Sequence, residues 1–392
     1  MKKHNYLITL LVFGLFLFFA VGNATAATVP EPFRGHDDNS KLTIDYRDLD
    51  SLLDMVVLYT GRSDRKKASS SQAATGTRMK IKVNRATINE GNRFYFEVFD
   101  QNRQNQQTIS KIRSRLENIP AAVPLEKFSR DEQLAYWLNL YNITMIEEIV
   151  KIYPKPELED LLVGEDSILS KKILTVAGVA LSLDDIQFSI LKQNYHSDPL
   201  VIYGLYQGII GGPNIRKSAY TGKYVYADLI DNAMEFINSN RGTYSKNGRD
   251  FRVSSLYERN AAYFPDFNAD LTEHLLTYLE GDEQEDLQSA KRIKADIDDW
   301  TVTDLYGSTR DLGASMANNS AALDGAVSGG ANPSRLAGRS PVASRYSPEV
   351  LQRLNEINAK KAAERSGTVT IEEMGEASTE TGNPDRGSNG SN

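Results

Sequence analysis

The sequence contains no cysteine and only four histidines among its 392 residues. The lack of cysteine excludes disulfide bonds, a cysteine nucleophile and a thiolate metal site. Basic residues are in the minority, since 45 lysines and arginines face 52 aspartates and glutamates and leave a formal net charge of −7. This charge disfavours a general nucleic-acid binder. We therefore expect no cofactor, no metal site and no nucleic-acid partner.

Common catalytic and metal-binding motifs are missing from the chain. A glycine cluster follows an apolar run, but Gly212 precedes Pro213 instead of the lysine and hydroxyl residue of a phosphate-binding loop. The acidic stretch from Asp266 has Leu271 where the calcium loop of an EF-hand needs glycine. His274 follows helical periodicity beside two leucines, and we interpret it as a structural histidine rather than a base. No catalytic residue is assigned.

Residues 1–26 have the pattern of a secretory signal peptide. Lys2 and Lys3 precede an almost wholly apolar run, and Ala24 and Ala26 form a small-x-small cleavage pattern. The apolar run of about 15 residues is shorter than the roughly 20 that span a bilayer, which favours cleavage before Ala27 over an uncleaved membrane anchor. We expect a periplasmic or secreted protein with no stable membrane span after cleavage.

Composition predicts four parts after this segment. Residues 27–40 form a flexible N-terminus, 41–119 an N-terminal extension, and 120–306 a mixed domain of helices and strands. In 307–392 the residues Gly, Ser, Ala, Asn and Pro dominate, so this part cannot bury enough apolar surface to offset the entropy of ordering. We predict a disordered C-terminal tail there, suited to tethering or interaction.

Apolar periodicity indicates an α+β fold, with several helices around a small sheet in a single mixed domain. Helices are predicted over 42–59, 129–152, 229–237 and 270–280, a hairpin over 173–181 and a buried strand over 200–206. Capping boxes at Ser129–Glu132 and Ser182–Asp185 predict helix starts just after each serine.

A basic loop is predicted at 62–85, where eight basic residues face one acidic residue. Such a loop either contacts an anionic lipid, glycan or nucleic acid, or is a solvated loop that balances acidic surface elsewhere. We favour the solvated loop, because no aromatic residue interleaves the charges as stacking on bases would require.

Four segments resemble the bacterial family called domain of unknown function 547. They are 132–142, 182–186, the strand and Gly-Pro turn at 200–216, and 253–257, with the tryptophan, tyrosine and asparagines of the first as the most specific part. The resemblance covers roughly 120–270. It implies an α+β domain that is often exported and has no established activity.

The resemblance also implies reactive groups that this chain lacks. Many members have a Glu-His pair in the second helix, a histidine in the following strand and two cysteines around the turn. The matching positions here hold Gln187, Phe188, Ile202, Gln207 and Gly212. A cysteine–histidine mechanism or a Cys/His metal site therefore cannot operate in this variant.

Hydrogen-bonding and stacking groups remain near the turn and are our candidates for ligand binding. They are Asn142, Tyr203, Tyr206, Gln207, Asn214, Arg216 and Tyr220. The amide of Asn142 borders the apolar stripe of its helix, and it either faces a cleft or satisfies the backbone of a neighbouring loop.

We predict an exported, non-catalytic envelope protein that binds an unidentified envelope ligand or protein through the turn after strand 200–206. The alternative is a cell-envelope hydrolase or transferase with an atypical carboxylate or tyrosine centre instead of cysteine and histidine. Carboxylates placed beside Tyr203 and Gln207 in an open pocket would favour the enzyme.

Overall fold

The computed structural model describes residues 28–65, 87, 90–246 and 250–305. The predicted signal peptide, most of the predicted basic loop and the predicted C-terminal tail lie outside the described residues. Within the described ranges, no helix is both long and apolar enough to cross a membrane.

Helices provide most of the regular structure. The α-helices are α1 (Arg47–Val56), α2 (Arg103–Ala122), α3 (Arg130–Ile152), α4 (Glu159–Leu162), α5 (Lys192–Asn194), α6 (Val225–Ile237), α7 (Ser255–Arg259), α8 (Phe267–Tyr278) and α9 (Asp282–Ser289). A π-helix, Asp185–Leu191, leads directly into α5. Short 3-10 helices are Glu31–Phe33, Phe96–Phe99, Leu125–Lys127, Ile168–Ser170, Pro199–Gly204 and Ala261–Tyr263.

The strands form three small sheets. They are β1 (Val57–Leu58), β2 (Arg93–Phe94), β3 (Leu174–Val176), β4 (Val179–Leu181), β5 (Thr243–Lys246), β6 (Asp250–Ser254) and β7 (Arg292–Ile297). β1 pairs antiparallel with β2, and β3 with β4, while β6 lies between antiparallel β5 and parallel β7. Ala177 and Gly178 both have positive φ in the β3–β4 turn, as a two-residue hairpin requires. The predicted hairpin and the α+β class are confirmed.

The core is built around α3. The sequence predicts one apolar face, yet side chains all around this helix are buried from Glu132 to Glu147. Trp137 and Tyr141 are wholly buried. A helix enclosed on every side lies at the centre of its domain, so its polar residues must find partners inside the protein.

The two predicted capping boxes differ in the structure. Ser182 and Asp185 are reciprocal, since each side chain accepts a hydrogen bond from the other's backbone N–H, at 3.1 Å and 2.6 Å. At α3, the Ser129 hydroxyl accepts from the Glu132 N–H at 3.3 Å, but the Glu132 carboxylate does not return the bond. It accepts instead from the backbone of Ile44 and Gly222, at 2.9 Å and 3.1 Å, and so ties two distant loops to the start of the helix.

The predicted strand over 200–206 is wrong, because the structure has a 3-10 helix at Pro199–Gly204. The Asp198 carboxylate accepts from the Leu200 N–H at 2.9 Å and caps this helix, and a proline at the first helical position suits the fixed φ of its ring. A short apolar run does not distinguish a buried strand from a buried helix. The turn that begins at Gln207 therefore follows a helix.

The last described segment, which follows β7, lies between two distant parts of the chain. The N–H of Val302 donates to Pro156, and the N–H of Thr303 donates to Gly208, both at 2.8 Å. The carbonyl of Thr303 accepts from the N–H of Phe94 at 2.7 Å. One short segment thus joins Phe94 of the N-terminal extension to Pro156, which follows α3, and to Gly208, which follows the 3-10 helix Pro199–Gly204.

Candidate functional site

Two asparagines of α3 hold the turn that follows the 3-10 helix. The Asn142 amide donates to the Gly204 carbonyl and accepts from the Tyr206 N–H, both at 2.9 Å. The Asn139 amide does the same with the backbone of Tyr220, at 2.8 Å and 2.9 Å. Of the two roles left open for Asn142, the structure shows the satisfaction of loop backbone.

Asn214 and Asn232 extend this arrangement into the interior. The Asn214 carbonyl oxygen accepts from the Asn92 N–H at 2.7 Å, while its amide nitrogen donates to the Glu235 carboxylate at 2.7 Å. The Asn232 amide donates to the Tyr203 carbonyl and the Tyr220 hydroxyl, both at 3.1 Å. We call Asn139, Asn142, Asn214 and Asn232 the asparagine network.

A buried ion pair adjoins the asparagine network. The Arg241 guanidinium contacts the Glu235 carboxylate, and both side chains are almost fully enclosed. Burial raises the pKa of Glu235, and Arg241 opposes that shift. The pair is satisfied further by Asn214, whose carbonyl oxygen accepts from Arg241 at 3.2 Å. These groups anchor the turn internally.

The three candidate tyrosines are also internal. The Tyr203 hydroxyl lies 2.8 Å from Nε2 of His274 and 3.1 Å from the Tyr257 hydroxyl. The Tyr206 hydroxyl bonds Thr303 Oγ1 at 2.5 Å. Burial raises the pKa of Tyr203 and Tyr206, so neither phenol is a ready nucleophile at neutral pH.

His274 belongs to an aromatic cluster and is placed as a structural histidine would be. Its ring stacks on Tyr203 with centroids 5.6 Å apart and meets Phe264 edge-on at 5.7 Å. Burial lowers the pKa of His274 to about 4. The imidazole is therefore neutral at pH 7.

Arg216 and Tyr220 lie beside a very small cavity. Together with Asn139, Asn142 and Ser218 they form the polar part of its lining, and its volume is about 10 Å³. This is the space of about one water molecule. Arg216 is partly buried, and its guanidinium pairs with Asp228 at 2.6 Å, so its charge is already neutralised.

Four of the positions at which the family resemblance implies an acidic group, a histidine or a cysteine fall into two groups. Ile202 is packed in the core, and Gly212 is buried close to Ile209. Gln187 and Gln207, in contrast, approach two consecutive residues. The Gln187 amide donates to the Asn260 side chain, and the Gln207 carbonyl oxygen accepts from Arg259 Nη2 at 3.3 Å.

We define the Arg259 cluster by the side chains that meet here. It consists of Tyr141, Gln187, Gln207, Arg259, Asn260 and Trp300. Of these, Gln207 is the one that was predicted as a binding residue. Arg259 and Trp300 are partly exposed, whereas Tyr141 is fully buried beneath them. The cluster reaches the surface, in contrast to the asparagine network.

Local structure explains how these residues converge. Gln187 lies in the π-helix, a rare geometry that is frequent at functional sites. The Ser254 hydroxyl accepts from the Leu256 N–H at 3.1 Å and starts α7, and the Asn260 amide donates to the Leu256 carbonyl at 2.8 Å and closes it. Arg259 and Asn260 are therefore fixed at the end of one short helical turn. The segment after β7 brings in Trp300.

The guanidinium of Arg259 is held by a ring contact and a hydrogen bond. Its carbon lies 4.6 Å from the centroid of the Trp300 ring, and Nη1 donates to Ser255 Oγ at 2.5 Å. The Ser255 hydroxyl in turn contacts the Asp298 carboxylate. Burial lowers the pKa of Arg259, and the charges of Asp298 and Tyr141 oppose this. The side chain nevertheless remains a cation at neutral pH, because arginine does not deprotonate in proteins.

Two titratable groups are Tyr141, within the cluster, and Asp184, which interacts with it electrostatically. Burial and the charge of Asp184 raise the pKa of the Tyr141 hydroxyl, while a side-chain interaction with Gln207 and the charge of Arg259 lower it. Burial and the neighbouring Asp185 raise the pKa of Asp184. Within the described ranges, no group of three or more His, Asp or Glu side chains could hold a metal ion.

Sequence reasoning did not select Arg259, Asn260 or Trp300. Two signals were available for them. Trp300 is one of only two tryptophans in the chain, and Arg259 follows the segment 253–257, one of the four family-like segments, by two residues. Neither signal alone shows that the side chains would meet Gln207.

The fold and the site define an α+β protein with a buried polar scaffold and a partly exposed arginine–tryptophan pair. The family model described as "Protein of unknown function, DUF547" matches residues 125–237, which confirms the resemblance over α3, the turn and α6. No curated protein and no solved structure matches the chain. Arg259 and Trp300 lie beyond the matched residues.

Proposed function

We propose that this chain is an exported, non-catalytic envelope protein that binds a ligand or partner at the Arg259 cluster, beside the turn that begins at Gln207. One observation carries the proposal. Two amides, those of Gln187 and Gln207, contact the consecutive residues Asn260 and Arg259, and they stand at two positions where the family resemblance implies an acidic and a thiol group.

The chemistry of these groups favours binding over catalysis. Amides are neither nucleophiles nor titratable groups near neutral pH, but they offer both donors and acceptors. A permanently charged guanidinium is suited to recognition of planar or anionic acceptors. Trp300 adds a large, partly exposed aromatic surface, which is typical of binding sites.

A ligand screen on the full mature chain, residues 27–392, tests this proposal. The compounds are amino acids, short peptides, sugars and small organic acids, and the measurement is the shift in Tm. We expect at least one compound to stabilise the wild type but not Arg259→Gln. Arg130→Gln is the matched control, because Arg130 is also partly buried, its guanidinium carbon lies 5.2 Å from the centroid of the Tyr195 ring, and neither residue belongs to the Arg259 cluster. If no compound stabilises the wild type, or if Arg259→Gln responds equally, the proposal is wrong.

Export is a separate part of the proposal and needs its own measurement. The support is the charged start, the apolar run and the Ala24-Thr25-Ala26 pattern of the first 26 residues. We expect the intact mass of the protein recovered from the periplasm or medium to correspond to a chain that starts at Ala27. Recovery of the full-length chain in the membrane fraction would contradict cleavage.

The enzyme alternative rests on a different observation. Asp184 is a partly buried carboxyl group whose pKa burial raises, and it interacts electrostatically with Tyr141. Raised carboxyl pKa values are typical of general acids. If the protein is a hydrolase or transferase, incubation with the same compounds will form new products, detected by mass spectrometry, and Asp184→Asn will abolish them. Binding without turnover supports the primary proposal.

A further inference from the structure

Arg259 differs from two other partly buried arginines, Arg216 and Arg252, in how its charge is compensated. Arg216 pairs with Asp228 at 2.6 Å, and Arg252 pairs with Asp296 at 2.6 Å. Arg259 has no carboxylate oxygen within ion-pair distance in the part of the chain that the structure describes. A partly desolvated cation without a direct counter-ion is costly, and it gains most from an anion that reaches it.

The donors of Arg259 are only partly used. A guanidinium carries five N–H groups, and the structure gives it two protein acceptors, Ser255 Oγ at 2.5 Å and Gln207 Oε1 at 3.3 Å. Three N–H groups therefore remain for solvent or a ligand. Parallel N–H groups on one edge match the two oxygens of a carboxylate.

The surroundings of Arg259 favour an acceptor of a particular shape. The guanidinium carbon lies 4.6 Å from the centroid of the Trp300 ring, and two of its nitrogens bond Ser255 and Gln207, so the free N–H groups point in defined directions. Both side chains are partly exposed, which leaves this edge reachable from solvent. A planar acceptor would meet a guanidinium that is already oriented, and preorganisation of this kind improves affinity.

Two carboxylates near the cluster limit the charge of the ligand. Asp298 acts electrostatically on Arg259, and Asp184 acts on Tyr141. A ligand with two negative charges would be repelled by both, whereas a single charge is balanced by the one cation. We infer that the group bound at the Arg259 cluster is a monoanionic carboxylate of a small organic acid or a peptide end. This inference rests on the proposed binding function and adds its ligand class.

Tryptophan fluorescence offers a direct test, because the chain has two tryptophans. Trp137 is fully buried, so a ligand added from solvent reports through Trp300. Sodium acetate, benzoate and N-acetylalanine are titrated into the mature full-length chain at constant ionic strength, with sodium phosphate and sodium sulfate as comparison anions. We expect a saturable change of emission with the carboxylates and none with phosphate or sulfate. Trp300→Phe should abolish the fluorescence change. Calorimetry then measures carboxylate binding to this variant.

Substitutions at Arg259 separate charge from geometry. Arg259→Gln should weaken carboxylate binding at least about tenfold, in line with loss of a charge-assisted bidentate pair. Arg259→Lys keeps the charge but loses the planar fork, so its affinity should lie between those of the wild type and Arg259→Gln. Arg130→Gln should bind as the wild type does. Circular dichroism confirms that each variant is folded.

The outcomes distinguish this inference from the proposed function. Phosphate and sulfate binding as strongly as the carboxylates would overturn the inference of a carboxylate. A neutral compound whose binding requires Arg259 would support the proposed binding function and overturn the inferred ligand class. If no probe or screened compound binds, both are wrong. A carboxylate that binds Arg259→Gln and wild type equally also overturns the inference.

Discussion

The asparagine network and the Arg259 cluster are two polar regions that contact neighbouring residues of one segment, Tyr206 and Gln207. In the asparagine network, amides are buried and bond to backbone groups of Gly204, Tyr206 and Tyr220. In the Arg259 cluster, the guanidinium is partly exposed and three of its five N–H groups have no acceptor among the described residues. The asparagine network uses its hydrogen-bonding groups within the fold. The Arg259 cluster has N–H groups left for solvent or a ligand.

This difference separates scaffold from candidate site better than residue type does. Asparagine, tyrosine and arginine occur in the Arg259 cluster and also among the members and bonding partners of the asparagine network, and by type alone all of them suit ligand binding. What distinguishes them is whether their donors and acceptors are satisfied within the fold. Substitutions in both regions test this distinction, from the largest expected effect on the free energy of unfolding to the smallest.

Arg241→Met should be the most destabilising of these substitutions. It leaves the Glu235 carboxylate buried without its cation, and breaking such a pair costs about 3–5 kcal/mol. Chemical denaturation measures the loss. Arg252→Met is the control, because its partner Asp296 is partly exposed and exposed pairs contribute about 0–1 kcal/mol. Equal losses in both variants would remove the distinction between a buried and an exposed pair.

Asn142→Ala and Asn139→Ala should each lower the free energy of unfolding by about 2–4 kcal/mol. Each removes two hydrogen bonds and leaves buried backbone groups unsatisfied, at about 1–3 kcal/mol per group. Asn118→Ala is the control, since this asparagine is exposed and bonds within α2. If either network variant is as stable as the control, the asparagines are not scaffold, and a binding role for Asn142 regains support.

His274 should make the fold less stable as pH falls. Its pKa is about 4 in the fold, below the ordinary value of 6.5, so the unfolded chain binds a proton at a higher pH than the folded chain. Stability is therefore fully present above pH 6.5, decreases between pH 6.5 and 4 by at most about 3 kcal/mol, and then levels off with respect to this group.

NMR titration of the His274 imidazole checks this directly. Its resonances should not change between pH 7 and 5, and they are assigned by their disappearance in His274→Gln. A titration midpoint near pH 6.5 would show that the His274 imidazole is solvated and that it is not part of the buried scaffold.

Arg259→Gln should have the smallest effect on stability, below about 1 kcal/mol. The side chain is partly exposed and its lost contacts are a hydrogen bond at 3.3 Å, one at 2.5 Å and a ring contact, while the substitution also removes a cation that burial disfavours. Chemical denaturation and the carboxylate titration on the same sample compare the loss of stability with the loss of binding. A loss of several kcal/mol in the free energy of unfolding would assign Arg259 to the scaffold.

Local signals in the sequence predicted much of the fold. The helix after Ser129, the hairpin over 173–181 and the helix that starts after Ser182 follow from caps, turn residues and periodicity, and all are confirmed. The 200–206 run failed because apolar residues alone do not distinguish strand from buried helix. α2 and the β5–β6–β7 sheet were not predicted.

The candidate site was less predictable for a geometric reason. Gln187 and Gln207 could be selected by comparison with the family pattern, but their contacts come from Arg259 and Asn260, more than fifty residues further along the chain. Trp300 arrives through the parallel pairing of β6 with β7. Such long-range pairing has no signature in a short sequence window, so the site emerges only in the folded chain.

The segment after β7 has a consequence for the order in which the chain is made. Val302 and Thr303 supply the hydrogen bonds that join Phe94, Pro156 and Gly208, yet they are synthesised about two hundred residues after the first of these. A ribosome must complete almost the whole described part before these pairings can form. A protein cut at the end of the family match would contain α3 and the turn but would lack the segment that closes over them.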